Sequence, residues 1–214
     1  NLTKEEIDKV AQKYPIILSL NQNKTYSDLL CVPFYINLII SGGFVEENIN
    51  DENNFRNLIW DRIVCLKDKC RKYGVPQSNI RETVERIVFE RASSFVVGVD
   101  RDIVDSNILE ALKSEGIIVD SKNKIRLKYD IFEDICFERY IDKAFDACRG
   151  LYNNFFAKIE KIGRCIYRRY QIWISNKLFV QEAREKFVYT LLTDNSIEAN
   201  WKKQTEIGIV KSKY

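Results

Sequence analysis

The chain has 214 residues, of which 45% are hydrophobic and 30% are charged, and its formal net charge is +3. This composition is typical of a packed globular protein and argues against disorder. The net charge is too small to indicate a nucleic-acid or membrane partner by itself. No apolar run approaches the roughly 20 residues that span a bilayer. We therefore expect a cytoplasmic protein with no membrane partner, and the scarcity of glycine and proline favours long helices.

The sequence lacks two features on which many catalytic sites depend, although carboxylate pairs remain possible. It contains no histidine, which excludes Ser-His-Asp and Cys-His centres and every zinc site that uses histidine. It also lacks a glycine-rich phosphate loop that ends in Gly-Lys-Ser or Gly-Lys-Thr. The six cysteines show no CxxC spacing, which predicts reduced and mostly buried thiols. We predict that the chain is not an enzyme and holds no metal or cofactor of its own.

Apolar residues with helical spacing dominate the first 96 residues. The predicted helices cover residues 3–13, 25–40, 55–73 and 81–96. Thr3, followed by Glu6 three positions later, predicts a capping box at the start of the first helix. Pro33 either starts a new helix or kinks the second one, and the polar residues 45–54 predict a loop. In the fourth helix the residues expected to point inward are Val84, Ile87, Val88, Ala92 and Phe95.

A different pattern occupies residues 97–129. A short extended segment, 97–99, precedes a compact helix, Asp105 to Ser114, which has apolar residues on one side. Two apolar runs then flank a polar turn, a pattern that predicts a β-hairpin. Helix, strand, helix and hairpin is the order of a winged helix-turn-helix, so we predict that fold here.

The remainder of the chain returns to helical spacing. The predicted helices cover residues 131–148, 151–162, 164–175 and 178–192, and a further helix starts near residue 197. The residues expected in the core are Phe132, Ile135 and Cys136, together with Ile118 and Leu127 from the hairpin. Glu133 and Asp134 are adjacent and so point in different directions, and we interpret most carboxylates as solvated. The last helix shows no stop before Tyr214, which suggests that the chain was cut from something longer.

Three segments of the sequence resemble parts of one family of signalling proteins. The hairpin, followed by Lys128-Tyr129-Asp130 and an apolar helix, resembles the winged-helix end of STAND-type ATPases, the NACHT and NB-ARC group. In that family the hairpin leads into a motif usually written MHD, and Lys128-Tyr129-Asp130 occupies its position. Residues 29–35, which contain Pro33, resemble the family's helical lid motif, whose proline lies against the adenine ring. Residues 164–175 are similar to the helices that follow in bacterial members.

The resemblance implies a mainly α fold in three segments. Residues 1–80 would form a helical lid, residues 81–148 a winged helix-turn-helix, and residues 149–214 a helical linker or the start of a superhelical array. Such a chain would be a regulatory and interaction module of a nucleotide-switch protein, with an upstream nucleotide-binding domain and downstream helical repeats as partners. ATP or ADP would bind the parent protein, and bacterial relatives often act in defence against phage. The trigger stays unidentified.

One departure from the family concerns phosphate sensing. The histidine of the MHD motif reads the β-phosphate of ADP in the family, whereas Tyr129 offers a single hydroxyl and no cation near neutral pH. Pro33 and Tyr129 would therefore contact nucleotide only beside an upstream domain. Each also has a purely structural interpretation, Pro33 as a helix start and Tyr129 as a strand end. Asp130 is expected to cap the following helix, because its carboxylate accepts from orphan N–H groups.

An alternative function is that of a winged-helix DNA-binding regulator. Residues 151–214 hold 12 Lys or Arg against 6 Asp or Glu, and Arg164, Arg168 and Arg169 could meet phosphate there. A solvated helical surface explains the same charges. The predicted recognition helix exposes a mixture that suits phosphate poorly, namely Asp105, Glu110, Lys113 and Glu115. Nucleic acid is therefore not expected as the main partner.

Overall fold

The computed structural model of the chain describes residues 1–22, 26, 29–44, 52–177 and 183–212. Helix accounts for most of these residues, and a small antiparallel sheet accounts for the strands, so the predicted mainly α fold class is confirmed. The chain divides into two compact units. Unit 1 contains Asn1–Val84 and Asp105–Ile117, and unit 2 contains Glu85–Val104 and Ile118–Tyr214. The three segments inferred from the family resemblance stay a prediction.

Unit 1 is built from short helices around an apolar core. Its helices are α1 Lys4–Ala11, α2 Pro15–Asn21, α3 Pro33–Ser41, α4 Glu52–Leu58, the first half of α5 Gln77–Ser93, and α6 Ser106–Ser114. The predicted capping box starts α1, since the Glu6 N–H donates to Thr3 Oγ1 (3.3 Å) and the Thr3 N–H donates to Glu6 Oε2 (2.8 Å). Its largest fully buried side chains are Ile17, Tyr26, Leu30, Ile39, Ile59, Trp60 and Leu66.

The continuous helix predicted over residues 55–73 is wrong. Helix α4 passes into a π-helix over Ile59–Val64, and the next helical turn is a separate 3₁₀ segment, Cys70–Tyr73. Leu66 lies between them with a φ of 50°, which an α-helix does not accommodate. The prediction assumed one buried stripe along a regular helix. Trp60 and Val64 are buried as well as Ile59 and Ile63, so this segment is surrounded by apolar contacts.

Unit 2 begins with a three-stranded antiparallel sheet after the second half of α5. The strands are β1 Val99–Asp100, β2 Ile118–Ser121 and β3 Lys124–Leu127, in the order β1-β3-β2. Val99 pairs with Ile125, and Ile118 pairs with Leu127. The two-residue turn Lys122-Asn123 has φ values of 51° and 64°, as the type I′ hairpin turn requires. The predicted hairpin is therefore confirmed.

The rest of unit 2 is helical. It contains α7 Asp130–Cys148, α8 Tyr152–Glu160, α9 Ile166–Lys177, a π-helix Ala183–Val188 that continues into α10 Tyr189–Thr193, and α11 Ala199–Lys211. Buried rings fill the space between these helices, and the innermost of them are Phe155, Phe156, Tyr170, Trp173, Phe187 and Trp201. Helices α9 and α11 approach each other closely at Gly208, where an added Cβ would lie 2.2 Å from Ile174 Cγ2. The glycine therefore sets the distance between these two helices.

The inward faces were predicted with one clear error. Phe132, Ile135, Cys136, Ile118 and Leu127 are all buried, as expected. Phe95 is wrong, because α5 ends at Ser93 and the Phe95 side chain is 75% exposed. Its φ of 53° places it in the left-handed region that commonly follows a helix, where glycine is the usual residue.

Other predicted boundaries changed or fall outside the described residues. Pro33 is the first residue of α3, so it starts a new helix and does not kink one. The loop predicted over 45–54 lies mostly outside the described residues, and its last part, from residue 52, is helical. The start of the helix predicted over 25–40 and residues 178–182 of the helix predicted over 178–192 also lie outside the described residues. The six cysteines, all of which lie in the described residues, form no disulfide, and three of them, Cys65, Cys136 and Cys148, are buried.

A candidate regulatory site at the start of helix α7

The segment that resembles the MHD motif leads directly from β3 into α7. Asp130 is the first residue of α7, and Tyr129 holds the cap position with extended backbone (φ −126°, ψ 133°) and no capping hydrogen bond from its side chain. The prediction that Asp130 caps this helix is therefore wrong by one position. Asp130 already has helical backbone, so its carboxylate lies in the first turn and faces the positive end of the helix dipole.

Tyr129 is half-buried against its own helix. Its ring meets the ring of Phe132 edge to face, with centroids 5.4 Å apart and an interplanar angle of 87°. The ammonium of Lys128 lies 5.2 Å from the centre of the Tyr129 ring. Because Phe132 is only 1% exposed, the Tyr129 ring rests on the edge of the core of unit 2. A change in the position of the Tyr129 ring would therefore disturb the packing of the buried Phe132.

One turn into α7, a carboxylate predicted to be solvated is buried. Glu133 is 5% exposed and forms an ion pair with Arg91 from α5. Burial raises the pKa of Glu133, the guanidinium of Arg91 opposes this rise, and the charge of Asp130 adds to it. Sequence reasoning missed this residue. The available signal was spacing, because Glu133 precedes the buried Phe137 by four positions and so shares its face of α7.

A second ion pair joins α7 to α9. The guanidinium of Arg169 pairs with the carboxylate of Asp134 and lies 5.3 Å from the centre of the Phe137 ring. Burial lowers the pKa of Arg169, while the carboxylates of Glu133 and Asp130 oppose that shift. We refer to Arg91, Asp130, Glu133, Asp134 and Arg169 as the charge cluster. It holds two cations and three carboxylates around the first turns of α7.

The three arginines proposed as a nucleic-acid contact separate in the structure. Arg164 and Arg168 are exposed, whereas Arg169 is half-buried and belongs to the charge cluster. A guanidinium that already pairs with a carboxylate offers little to a phosphate, which argues against a nucleic-acid contact at Arg169. The exposure of Arg164 and Arg168 is compatible both with a nucleic-acid contact and with a solvated helical surface.

Pro33 is exposed at the first turn of α3 in unit 1. Val32 precedes it with extended backbone and provides no side-chain cap. A proline at this position suits a helix start, because the missing N–H would have had no partner there. The ring is accessible to a flat apolar ligand in this chain, and Pro33 and Tyr129 belong to different units.

The charge cluster suits positioning better than catalysis. It contains no thiol or imidazole, and both arginines are ion-paired, so it offers no activated nucleophile. In the part of the chain that the structure describes, no group of three or more acidic or sulfur ligands could hold a metal ion. Within the same residues, no helix is both long and apolar enough to cross a bilayer. What the cluster can do is fix the rotation of α7 against α5 and α9.

No protein-family model matches the chain, and no curated protein is significantly similar to it.

Proposed function

We propose that this chain is a regulatory and interaction module of a STAND-type nucleotide-switch protein of the cytoplasm. The observation that carries the proposal is the position of the charge cluster. The segment Lys128-Tyr129-Asp130, which resembles the MHD motif, runs straight into a helix whose first two turns are ion-paired to α5 and α9. A shift of this segment would therefore act on two other helices of the unit at once.

The energetics of the cluster support a switching role over a purely stabilising one. A buried ion pair gains little net free energy, because desolvation of both charges offsets much of their attraction. Its best attested use is to fix one arrangement against another. Glu133 illustrates the balance, since burial still raises its pKa although Arg91 lies beside it. The net stability that such an ion pair provides is small, so a change in charge nearby would be enough to break or re-form it.

The order of elements supports a winged helix within this module. Helix α5, strand β1, helix α6 and the β2–β3 hairpin follow each other as in that fold, and β1 pairs with β3 as the first strand of a winged helix does. We propose that the module takes its nucleotide, ATP or ADP, from an upstream domain and passes its state to downstream helical repeats. A role in defence against phage follows from the resemblance alone.

The acidic residues at the two ends of α6 favour this function over DNA binding. Asp105 caps the helix, accepting from the N–H groups of Asn107 (2.9 Å) and Ile108 (3.3 Å). Glu115 accepts from Lys69 Nζ at 2.7 Å, and this contact helps to hold the pKa of Glu115 below its ordinary value. Glu115, which we expected to be exposed, is therefore half-buried and ion-paired. Asp105 is exposed, and a carboxylate at that position would repel a phosphate backbone.

The first test uses the chain alone and then the longer protein that we propose. Calorimetry of the chain with Mg-ATP or ADP should show no binding tighter than about millimolar, because the sequence lacks a phosphate loop. The reading frame around this segment should encode such a loop upstream. Micromolar binding by the chain alone, or a reading frame without the loop, would refute the proposal.

The second test concerns the two nucleotide-facing residues in the longer protein. Tyr129→Phe and Pro33→Ala should each change the retention of nucleotide or the basal activity while leaving the circular dichroism spectrum unaltered. Tyr189→Phe is the control, because it removes the same hydroxyl from a tyrosine that is 67% exposed and lies in α10, not at the start of α7. If both variants retain nucleotide like the control, then Pro33 and Tyr129 have only structural roles.

A further inference from the structure

A groove lies on the outer face of the β2–β3 hairpin in unit 2. One wall is the segment that leads into β1, with Val96 and Val97, and the other wall comes from the hairpin, with Val119, Lys122, Lys124 and Arg126. We call it the wing groove. Its volume is about 310 Å³, room for one or two amino-acid side chains. The core of the unit lies on the opposite face of the hairpin, where Ile118, Ile125 and Leu127 are buried.

The two walls of the wing groove meet in a close contact at Gly98. A Cβ added to Gly98 would lie 3.0 Å from the carbonyl oxygen of Ile125 and 3.2 Å from Lys124 Cβ. The chain before β1 therefore presses directly on β3, and only glycine allows this approach. The valines beyond it stay accessible, since Val97 is 82% exposed and Val96 is 41% exposed. The groove thus presents apolar surface that no described part of the chain covers.

All charged side chains that line the wing groove are positive. Lys124 pairs with Asp100 at 2.7 Å, but both groups are half-exposed, so the pair is weak. Among the described residues, neither Lys122 nor Arg126 forms an ion pair. Lys122 and Arg126 therefore lie beside apolar valine walls, and this combination attracts a ligand that carries both carboxylates and an aliphatic group.

We propose that the wing groove docks an acidic peptide segment of a partner protein, with an aliphatic side chain between the valines and flanking Asp or Glu side chains on Lys122 and Arg126. Single-stranded nucleic acid fits less well. Its bases bind to flat aromatic or guanidinium surfaces, whereas the walls here are β-branched valines. The proposal stands on the geometry of the groove and does not rest on the nucleotide-switch function.

The test is a synthetic peptide array probed with the whole chain. One set alternates leucine, isoleucine or valine with Asp or Glu, a second set replaces the acidic residues by lysine, and a third replaces the aliphatic residues by serine. The chain should be retained on acidic-aliphatic peptides only. Fluorescence anisotropy with the best peptide and with oligothymidine then compares the two ligand classes. Equal retention on all sets, no retention, or tighter binding of oligothymidine would each overturn the proposal.

Charge-reversal variants locate the interaction. The double variant Lys122→Glu with Arg126→Glu should weaken binding of the best peptide by about tenfold or more, since attraction becomes repulsion. The double variant Lys161→Glu with Lys203→Glu changes the net charge equally on other exposed positions and should bind within about twofold of the parent. Val97→Ser is a second groove variant that leaves the hairpin untouched, and it should also weaken binding. Equal effects of groove and control variants would show that net charge, and not the groove, binds the peptide.

Discussion

The replacement Gly208→Ala tests the close contact between helices α9 and α11 in unit 2. The added methyl group would lie 2.2 Å from Ile174 Cγ2 and 3.0 Å from the carbonyl oxygen of Gln171. Carbon atoms prefer separations of roughly 3.5–4.0 Å, so α9 and α11 must separate by more than an ångström or a buried isoleucine must leave its rotamer. Ile174 is fully buried, and packed interiors resist both changes.

The expected magnitude is the difference of two opposing effects. Overpacking of a core costs about 1–3 kcal/mol, and a backbone carbonyl in the contact places this site at the upper end. Alanine in a helix gains about 1 kcal/mol over glycine. Packing wins, and we expect the free energy of unfolding to fall by about 2 kcal/mol. Urea denaturation followed by circular dichroism measures this loss.

Two further variants make the reasoning refutable. Val210→Ala changes an exposed side chain on the same helix and should alter the free energy of unfolding by less than about 0.5 kcal/mol. Ile174→Leu removes the Cγ2 methyl group that meets the new methyl group, so it should recover part of the loss when combined with Gly208→Ala. If Gly208→Ala is as stable as the parent, α9 and α11 do not approach as closely as described.

Three other changes give direct expectations. Phe132→Ala should cost about 3–5 kcal/mol because the ring is fully buried, and a loss below about 1 kcal/mol in denaturant melts would mean that another face of α7 is buried. Glu133 has a raised pKa in the folded state, so its contribution to stability is complete below its unfolded pKa, near 4.5, and is lost as the pH rises through the folded value. Denaturant melts over a pH series should therefore show the parent losing stability relative to Glu133→Gln as the pH rises through this window, and a constant difference would contradict the burial of the carboxylate. Phe95→Gly should stabilise the end of α5 by about 0.5–1 kcal/mol, because glycine adopts the left-handed backbone without strain; thermal melts that show a less stable variant would mean that the ring makes contacts in the folded chain.

The sequence predicted the parts of the fold that follow one simple period. The hairpin alternates along β2 and β3, and Phe132, Ile135 and Cys136 keep helical spacing, so their inward faces could be read directly. The prediction that Phe95 points inward was wrong because the helical spacing of apolar residues continues two positions beyond the end of α5, where no glycine marks the end of the helix. The π-helix after α4 was not predicted because adjacent residues in it are buried, so its apolar residues do not form a single stripe along the sequence.

The charge cluster was harder to predict than the apolar core. Tyr129 was singled out by the resemblance to the MHD motif, Asp130 by that resemblance and as an expected helix cap, and Arg169 by the neighbouring arginines. Glu133 and Arg91 are 42 residues apart, and no local pattern links two charges across that distance. Burial of a carboxylate depends on the partner that tertiary packing brings to it, so a single sequence shows the face of Glu133 but not its guanidinium.

The distribution of tryptophan supplies the chain with its own optical probes. All three tryptophans are buried: Trp60 lies in unit 1, and Trp173 and Trp201 lie in unit 2. Their emission should shift to longer wavelength on exposure to water. A chain with Trp173→Phe and Trp201→Phe would report the melting of unit 1, and one with Trp60→Phe would report that of unit 2. Coincident transitions in the two variants would show a single cooperative unfolding event, and separated transitions would show that each unit melts independently.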